Sequence, residues 1–239
     1  MHAIGLSSAI YLAYVLLLLP WVAFKSARAF NARLRLPGPA AALPLERIYA
    51  NTIAMLVVLF ALSWVTARSF QSERLIFAAP HIGARELLAG VAALLFYFVM
   101  MYANLTTRSP DERRAMAINR LVPRTRAAKL LYSATSIVAG VAEEAAYRGV
   151  LVWILAYALG SSWPAVIVSA AAFAFSHALQ GWKSMVVIFI MACSMHALVW
   201  YTGTLVIAMA VHAIYDLLAP TVRRRISPVP PTDPERIAG

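Results

Sequence analysis

The sequence predicts an all-α fold, a polytopic transmembrane helical bundle of about seven helices. Three observations predict it. The 239 residues are 62% hydrophobic and only 13% charged, with a mean hydropathy of +0.73, whereas a soluble domain is nearer about 45–50% apolar. The apolar residues gather in separate stretches, most near the roughly 20 residues that a helix needs to cross a bilayer. The lysines and arginines gather between those stretches, heavily in alternate loops, as cytoplasmic loops of membrane proteins do. The same bias accounts for the net charge of +11. It implies a lipid bilayer as the chain's surroundings and no nucleic-acid partner. One cysteine, Cys193, excludes an intrachain disulfide and a Cys-built metal site.

Met1 to Phe24 lacks a basic start and a small-residue cleavage site, and its apolar part from Leu6 is long enough to span, so it reads as a retained first helix. A basic, proline-containing loop runs from Lys25 to Arg47. Ile48 to Thr66 is the second span, Arg68 to Glu86 a near-neutral loop, Leu87 to Leu105 the third span and Arg108 to Lys129 a strongly basic loop. Leu130 to Leu159 follows. At 30 residues it would be about 45 Å long as a straight helix, against a hydrocarbon core of about 30 Å. It must tilt, run along the interface or break, with Gly140 and Gly149 as the candidate break points. Ser162 is the expected cap of the next helix, with Pro164 in its first turn and an end near Leu179. Met185 to Tyr201 and Leu205 to Ala219 are the last two spans, separated by the tight break Thr202-Gly203-Thr204. The polar, proline-rich stretch from Val222 is expected to be disordered.

Alternating these spans places the loops with five, seven, one and four basic residues on one side and the loop with three on the other. The expected orientation is N-terminus outside and C-terminus in the cytoplasm. The Ala- and Arg-rich composition points to a bacterial inner membrane. No internal repeat marks a transporter of the inverted-repeat kind, and the sequence specifies no oligomeric state.

Four charged residues fall inside the apolar stretches: Glu143, Glu144, Arg148 and Asp216. Three of the five histidines join them, His177, His196 and His212. An ionisable group at the bilayer centre costs about 2.5–3.5 kcal/mol on insertion scales, so each marks a functional hypothesis. Glu144 and Arg148 stand four apart, share a helix face and can pair, which is also what a purely structural brace would look like. Glu143 points about 100° away, toward whatever other helices supply. Phe173-x-x-x-His177 and His212-x-x-x-Asp216 are the candidates. Phe173 reads as packing. Cys193 and His196 are three apart, but nothing around the thiol activates it. Ser169 to Ala172 is a small-residue packing face, and His2 and His81 read as solvated.

Amide hydrolysis needs a water made nucleophilic, a donor for the developing oxyanion and an acid for the leaving amine. A desolvated glutamate can take and return the proton, with a histidine beside it and a second donor from another helix. Alternatively, Glu143, His177 and His212 are suitable ligands for a divalent metal such as zinc, with water in the open position.

Glu143-Glu144-x-x-x-Arg148, Phe173-x-x-x-His177 and His212-x-x-x-Asp216, in that order on successive apolar segments, resemble the pattern of the CAAX-protease and bacteriocin-processing family (CPBP, or Abi). These are intramembrane endopeptidases that include the type II CAAX prenyl proteases. The turn Tyr201 to Leu205 also looks like the family. The resemblance covers about Leu130 to Leu218. It leaves Met1 to Lys129 unassigned, and together with the hydropathy pattern it gives three expected divisions: 1–129, N-terminal transmembrane helices and basic loops; 130–219, a catalytic helical core; 220–239, a disordered cytoplasmic tail. It implies that Glu143 activates water, that Glu144 pairs with Arg148, that His177 binds or deprotonates the water, and that His212 and Asp216 match the oxyanion pair. Where the family has Asn at that last position this chain has Asp216, which cannot donate when ionised. It must be protonated, orient His212 or support a metal. Both metal-dependent and metal-free mechanisms have been proposed for the family. The substrate implied is a membrane protein or peptide. Two other classes fit the same buried groups: a non-catalytic immunity or chaperone protein on this scaffold, and a proton-coupled transporter using Glu and His as a relay.

Overall fold

The computed structural model describes residues 5–36, 43–69 and 82–226. Among them the regular structure is helical, with no strand. The helices are α1 (Leu6–Arg33), α2 (Leu45–Ser69), α3 (Ala84–Thr106), the short α4 (Pro110–Ala115), α5 (Arg126–Glu143), α6 (Val152–Leu159), α7 (Ser162–Ser176), α8 (Trp182–Thr202) and α9 (Leu205–Ile226). A π-helical segment, Glu144–Leu151, joins α5 to α6 without a break.

The chain is a multi-pass membrane protein. Among the described residues five helices, α1, α2, α3, α8 and α9, are long and apolar enough to cross a bilayer. The other two of the seven expected spans differ from that pattern. The run through Leu130–Leu159 carries its charges inward, and α7 has 15 residues, about 22 Å against a core of about 30 Å. The long run does not break at Gly140 or Gly149. It continues instead through the π segment Glu144–Leu151 into α6. α7 is preceded by Ser161 rather than capped by Ser162, with no side-chain cap bond, and it stops at Ser176. α9 continues past Ala219 to Ile226, so the first part of the expected tail is helical. The rest of the tail, and His2 and His81, lie outside the described residues.

α3 shows how the sequence sorts lipid from protein. Gly90, Tyr97, Met101 and Leu105 repeat at helical spacing and are buried. Leu88, Leu95 and Val99, on the other face, are exposed. Between helices in lipid there is little hydrophobic drive, and association depends on close packing. The main core is accordingly rich in small residues, among them Ala139, Ala142, Ala145, Ala146, Ala165 and Ala170. Ser169, Ala170 and Ala172 are buried within it, as a packing face requires.

α5 and α9 run antiparallel and nearly touch. A Cβ on Gly140 would stand 2.8 Å from the Met209 carbonyl oxygen and 2.9 Å from the Ala213 nitrogen and Cβ. The glycine that looked like a break point is a contact point. The approach brings Glu144, one turn on, level with His212.

The π segment sits at the centre, packed by α2, α7, α8 and α9, and all eight of its residues are buried. Such wide turns concentrate at functional sites because they shift side chains out of the α-helical register. Neighbouring helices supply hydroxyls to its main chain. Tyr11 of α1 donates to the Ala146 carbonyl at 3.1 Å and Ser169 of α7 donates to the Tyr147 carbonyl at 2.7 Å.

Candidate active site

Glu143 ends α5 and Glu144 begins the π segment, so the two adjacent carboxyls diverge. The Glu144 side chain is fully enclosed. Its Oε1 accepts from Arg148 Nη1 at 3.1 Å and from His212 Nδ1 at 2.7 Å. Charge-assisted bonds of this kind are about twice as strong as neutral ones. They also fix the ring of His212: with Nδ1–H donated to Glu144, Nε2 is turned the other way. There it meets Glu143 Oε2 at 3.7 Å and Asp216 Oδ2 at 3.6 Å. The side chain of Glu143 is 19% exposed, against none for Glu144.

His177 is placed by the end of α7. The last carbonyls of a helix have no intrahelical donor. The backbone of His177 leaves the helix at φ −100°, and its Nδ1 donates to the Phe173 carbonyl at 2.9 Å. This leaves Nε2 free to face the site, and it explains the four-residue spacing of that motif. Phe173 does more than fill space. Its ring centre lies 4.6 Å from that of His177 and 6.1 Å from that of His212, and the Arg148 guanidinium sits over it at 4.3 Å. It therefore packs against both imidazoles and covers the cation, a favourable use of the ring face.

Asp216 is held through its main chain. Tyr132 of α5 donates its hydroxyl to the Asp216 carbonyl at 2.7 Å. The Tyr147 hydroxyl is 3.0 Å from Ser176 Oγ, with its ring edge-on to Phe173. Neither Tyr132 nor Tyr147 stood out in the sequence. The available signal was spacing: Tyr147 is one turn after Glu143, and Tyr132 is three turns before it.

Two cavities meet here. The smaller, about 80 Å³, is bordered by Glu144, Arg148, His177, His212 and Asp216. The larger, about 970 Å³, lies between α1 and α2, is mostly apolar, and reaches Glu143, Tyr147, Ser176 and His177 at its inner end. His177 and Gln180 border both, so Glu143 and His212 approach each other from opposite sides of the junction. Cys193 and His196 border neither cavity.

Among the described residues no group of three or more His, Cys, Asp or Glu is gathered as a metal requires. Glu143, His177 and His212, the candidate metal donors, are not gathered into such a group in this structure.

Residues 125–218 match the family model described as type II CAAX prenyl endopeptidase Rce1-like. Nothing among curated proteins or solved structures matches the chain. The matched residues hold all three motifs, whereas α1 and α2, Ile118 and Leu121 of the large cavity and Tyr97 of the smaller one lie outside them. Over residues 125–218, somewhat under half of the chain, the sequence is thus similar to the type II CAAX prenyl endopeptidases, in line with its three motifs.

Proposed function

We propose that this protein hydrolyses a peptide bond in a membrane-associated protein or peptide, with Glu143 as the base that activates water. One observation carries the reading: Glu143 and His177 stand together at the inner end of an apolar cavity of about 970 Å³, with His212 3.7 Å from Glu143. That separation is too long for a good hydrogen bond but suits a water held by both groups.

In this scheme an apolar segment of the substrate occupies the large cavity and presents its scissile carbonyl to the junction. Glu143 takes a proton from the water as its oxygen bonds to the carbonyl carbon. His177, with Nδ1–H committed to Phe173, offers the Nε2 lone pair to the same water. His212, when it carries a proton on Nε2, donates it as a hydrogen bond to the oxyanion. Glu143 then returns its proton to the amide nitrogen as the C–N bond breaks. Asp216, 3.6 Å from Nε2, orients His212, and Glu144 fixes its tautomer. No step is routed through a metal. In this reading the C-terminus lies in the cytoplasm of a bacterial cell and the site opens toward that face, an orientation supported by the clustering of basic residues on one side of the alternating spans.

The test is cleavage of a transmembrane-peptide library by the purified protein in detergent, with and without a chelator. Cleavage that persists under chelation is expected. Loss of cleavage on chelation and its return with zinc would place an ion on Glu143, His177 and His212. No cleavage, together with proton flux in proteoliposomes, would favour a relay over a peptidase.

A further inference from the structure

Pro220 lies inside α9, four residues after Asp216. A proline at that position has no N–H to give the Asp216 carbonyl, and its ring crowds that oxygen. A carbonyl left open is costly in a bilayer, where no solvent donor replaces the missing one. Here the donor comes from another helix. The Tyr132 hydroxyl lies 2.7 Å from the Asp216 oxygen. One helical hydrogen bond of α9 has been exchanged for a bond between α9 and α5.

The exchange matters because of what each partner carries. Asp216 bears the carboxyl that lies 3.6 Å from His212 Nε2. Tyr132 is eleven residues before Glu143, close to three full turns, so strap and base share one face of one helix. Tyr132 is itself held. Its ring meets that of Tyr49 edge-on at 5.6 Å, and the Tyr49 hydroxyl donates to the Leu121 carbonyl. Tyr132 borders neither cavity, so it does not touch a substrate seated there.

We infer that Tyr132 is a positioning residue of this site: by taking the carbonyl that Pro220 leaves open, it fixes the Asp216–His212 turn of α9 against Glu143. The inference rests on the peptidase reading above. A proline-weakened helix can swing at the point where the ladder is interrupted. The hydroxyl removes that freedom at the turn bearing the two groups that must face the water.

The test uses the full-length protein in detergent with a peptide that the wild type cleaves. In Tyr132→Phe the ring stays to pack on Tyr49 and only the hydroxyl is lost. Its kcat is expected to fall about tenfold or more, as small misplacements of catalytic groups do, while KM stays within about twofold. Pro220→Ala, which returns an N–H four residues after Asp216, is expected to be close to wild type. The decisive variant is the double one. The restored main-chain N–H takes the Asp216 carbonyl, so kcat should recover to within about threefold of wild type. A tyrosine that merely packs would gain nothing from Pro220→Ala. A readout independent of activity is the carbonyl resonance of Asp216 in protein labelled with carbonyl-¹³C aspartate. It should move in Tyr132→Phe and return in the double variant.

An unchanged kcat in Tyr132→Phe, a double variant as slow as the single one, or an unmoved Asp216 resonance would each overturn the inference. A wild type that cleaves nothing while the resonance behaves as described would overturn the peptidase reading, and the positioning role with it. That result differs from an active wild type with an indifferent Tyr132.

Discussion

His212 Nδ1 and Glu144 Oε1 are 2.7 Å apart, and Arg148 Nη1 reaches the same oxygen from the other side at 3.1 Å. One carboxylate oxygen thus joins α9 to the π segment and neutralises a buried guanidinium. Glu144 is a brace, whereas its neighbour Glu143 faces the cavity junction. Glu144→Gln is therefore expected to cost stability before anything else. Removing one partner of a buried ion pair leaves an uncompensated charge and typically costs about 3–5 kcal/mol. Unfolding in mixed detergent micelles measures it, and a loss under about 1 kcal/mol would contradict the bracing role.

Glu143→Gln is expected to behave in the opposite way. Gln keeps the size of the side chain and removes only its ability to accept a proton. Its nearest charged partner, His212, stays bonded to Glu144. The variant should insert, fold and unfold like the wild type yet lose cleavage, by a factor of at least about a hundred if general-base action is its role. Turnover near the wild-type rate would remove Glu143 from the chemistry.

The two buried histidines on α8 and α9 should separate cleanly. His212→Ala and, from the end of α7, His177→Ala are each expected to lower kcat by about a hundredfold. His196→Ala should leave kcat within about threefold, since His196 borders neither cavity. The comparison is informative because His196 is as well buried as His212, so burial alone would not predict the difference. Equal losses at His196 and His212 would mean that the junction has been misassigned.

Topology can be checked without activity. With Cys193→Ser as background, a cysteine in place of Gly239 is expected to resist a membrane-impermeant thiol reagent in intact cells and to react after lysis. The basis is the clustering of basic residues on one side of the alternating spans. Labelling from outside would invert the orientation and move the site to the other face.

The division between what the sequence conveyed and what it hid has a physical origin. Charges in apolar segments are expensive, so Glu143, Glu144, Arg148 and Asp216 were visible without any structure, and helical spacing paired Glu144 with Arg148. The 3.7 Å between Glu143 and His212 depends on how closely α5 and α9 pack, which spacing within one helix does not carry. Tyr132 escaped notice because an aromatic in an apolar run resembles packing. Its hydroxyl gains a purpose only once Pro220 is seen to free the opposite carbonyl. The length of Leu130–Leu159 signalled something irregular, but a break and a π segment share the same sequence cue, a span too long for the bilayer. The match over residues 125–218 likewise omits α1 and α2, which wall the large cavity.

Gly140 offers the most direct test of the α5–α9 approach. The atoms that a Cβ at this position would meet are the Met209 carbonyl oxygen at 2.8 Å and the nitrogen and Cβ of Ala213 at 2.9 Å. Backbone atoms cannot swing aside as a flexible side chain can, so the helices themselves must part. His212 lies between Met209 and Ala213 on α9, and it would move away from Glu144 with the helix. Gly140→Ala is therefore expected to lose about 1–3 kcal/mol of stability through overpacking. It should also lose turnover by about tenfold or more, because the Glu143–His212 separation widens. Gly5→Ala serves as the control, since an added Cβ there meets nothing within 4 Å. If Gly140→Ala unfolds and turns over like Gly5→Ala, then close packing of α5 on α9 does not set the geometry of the site, and the register that joins Glu144 to His212 must be imposed by the π segment alone.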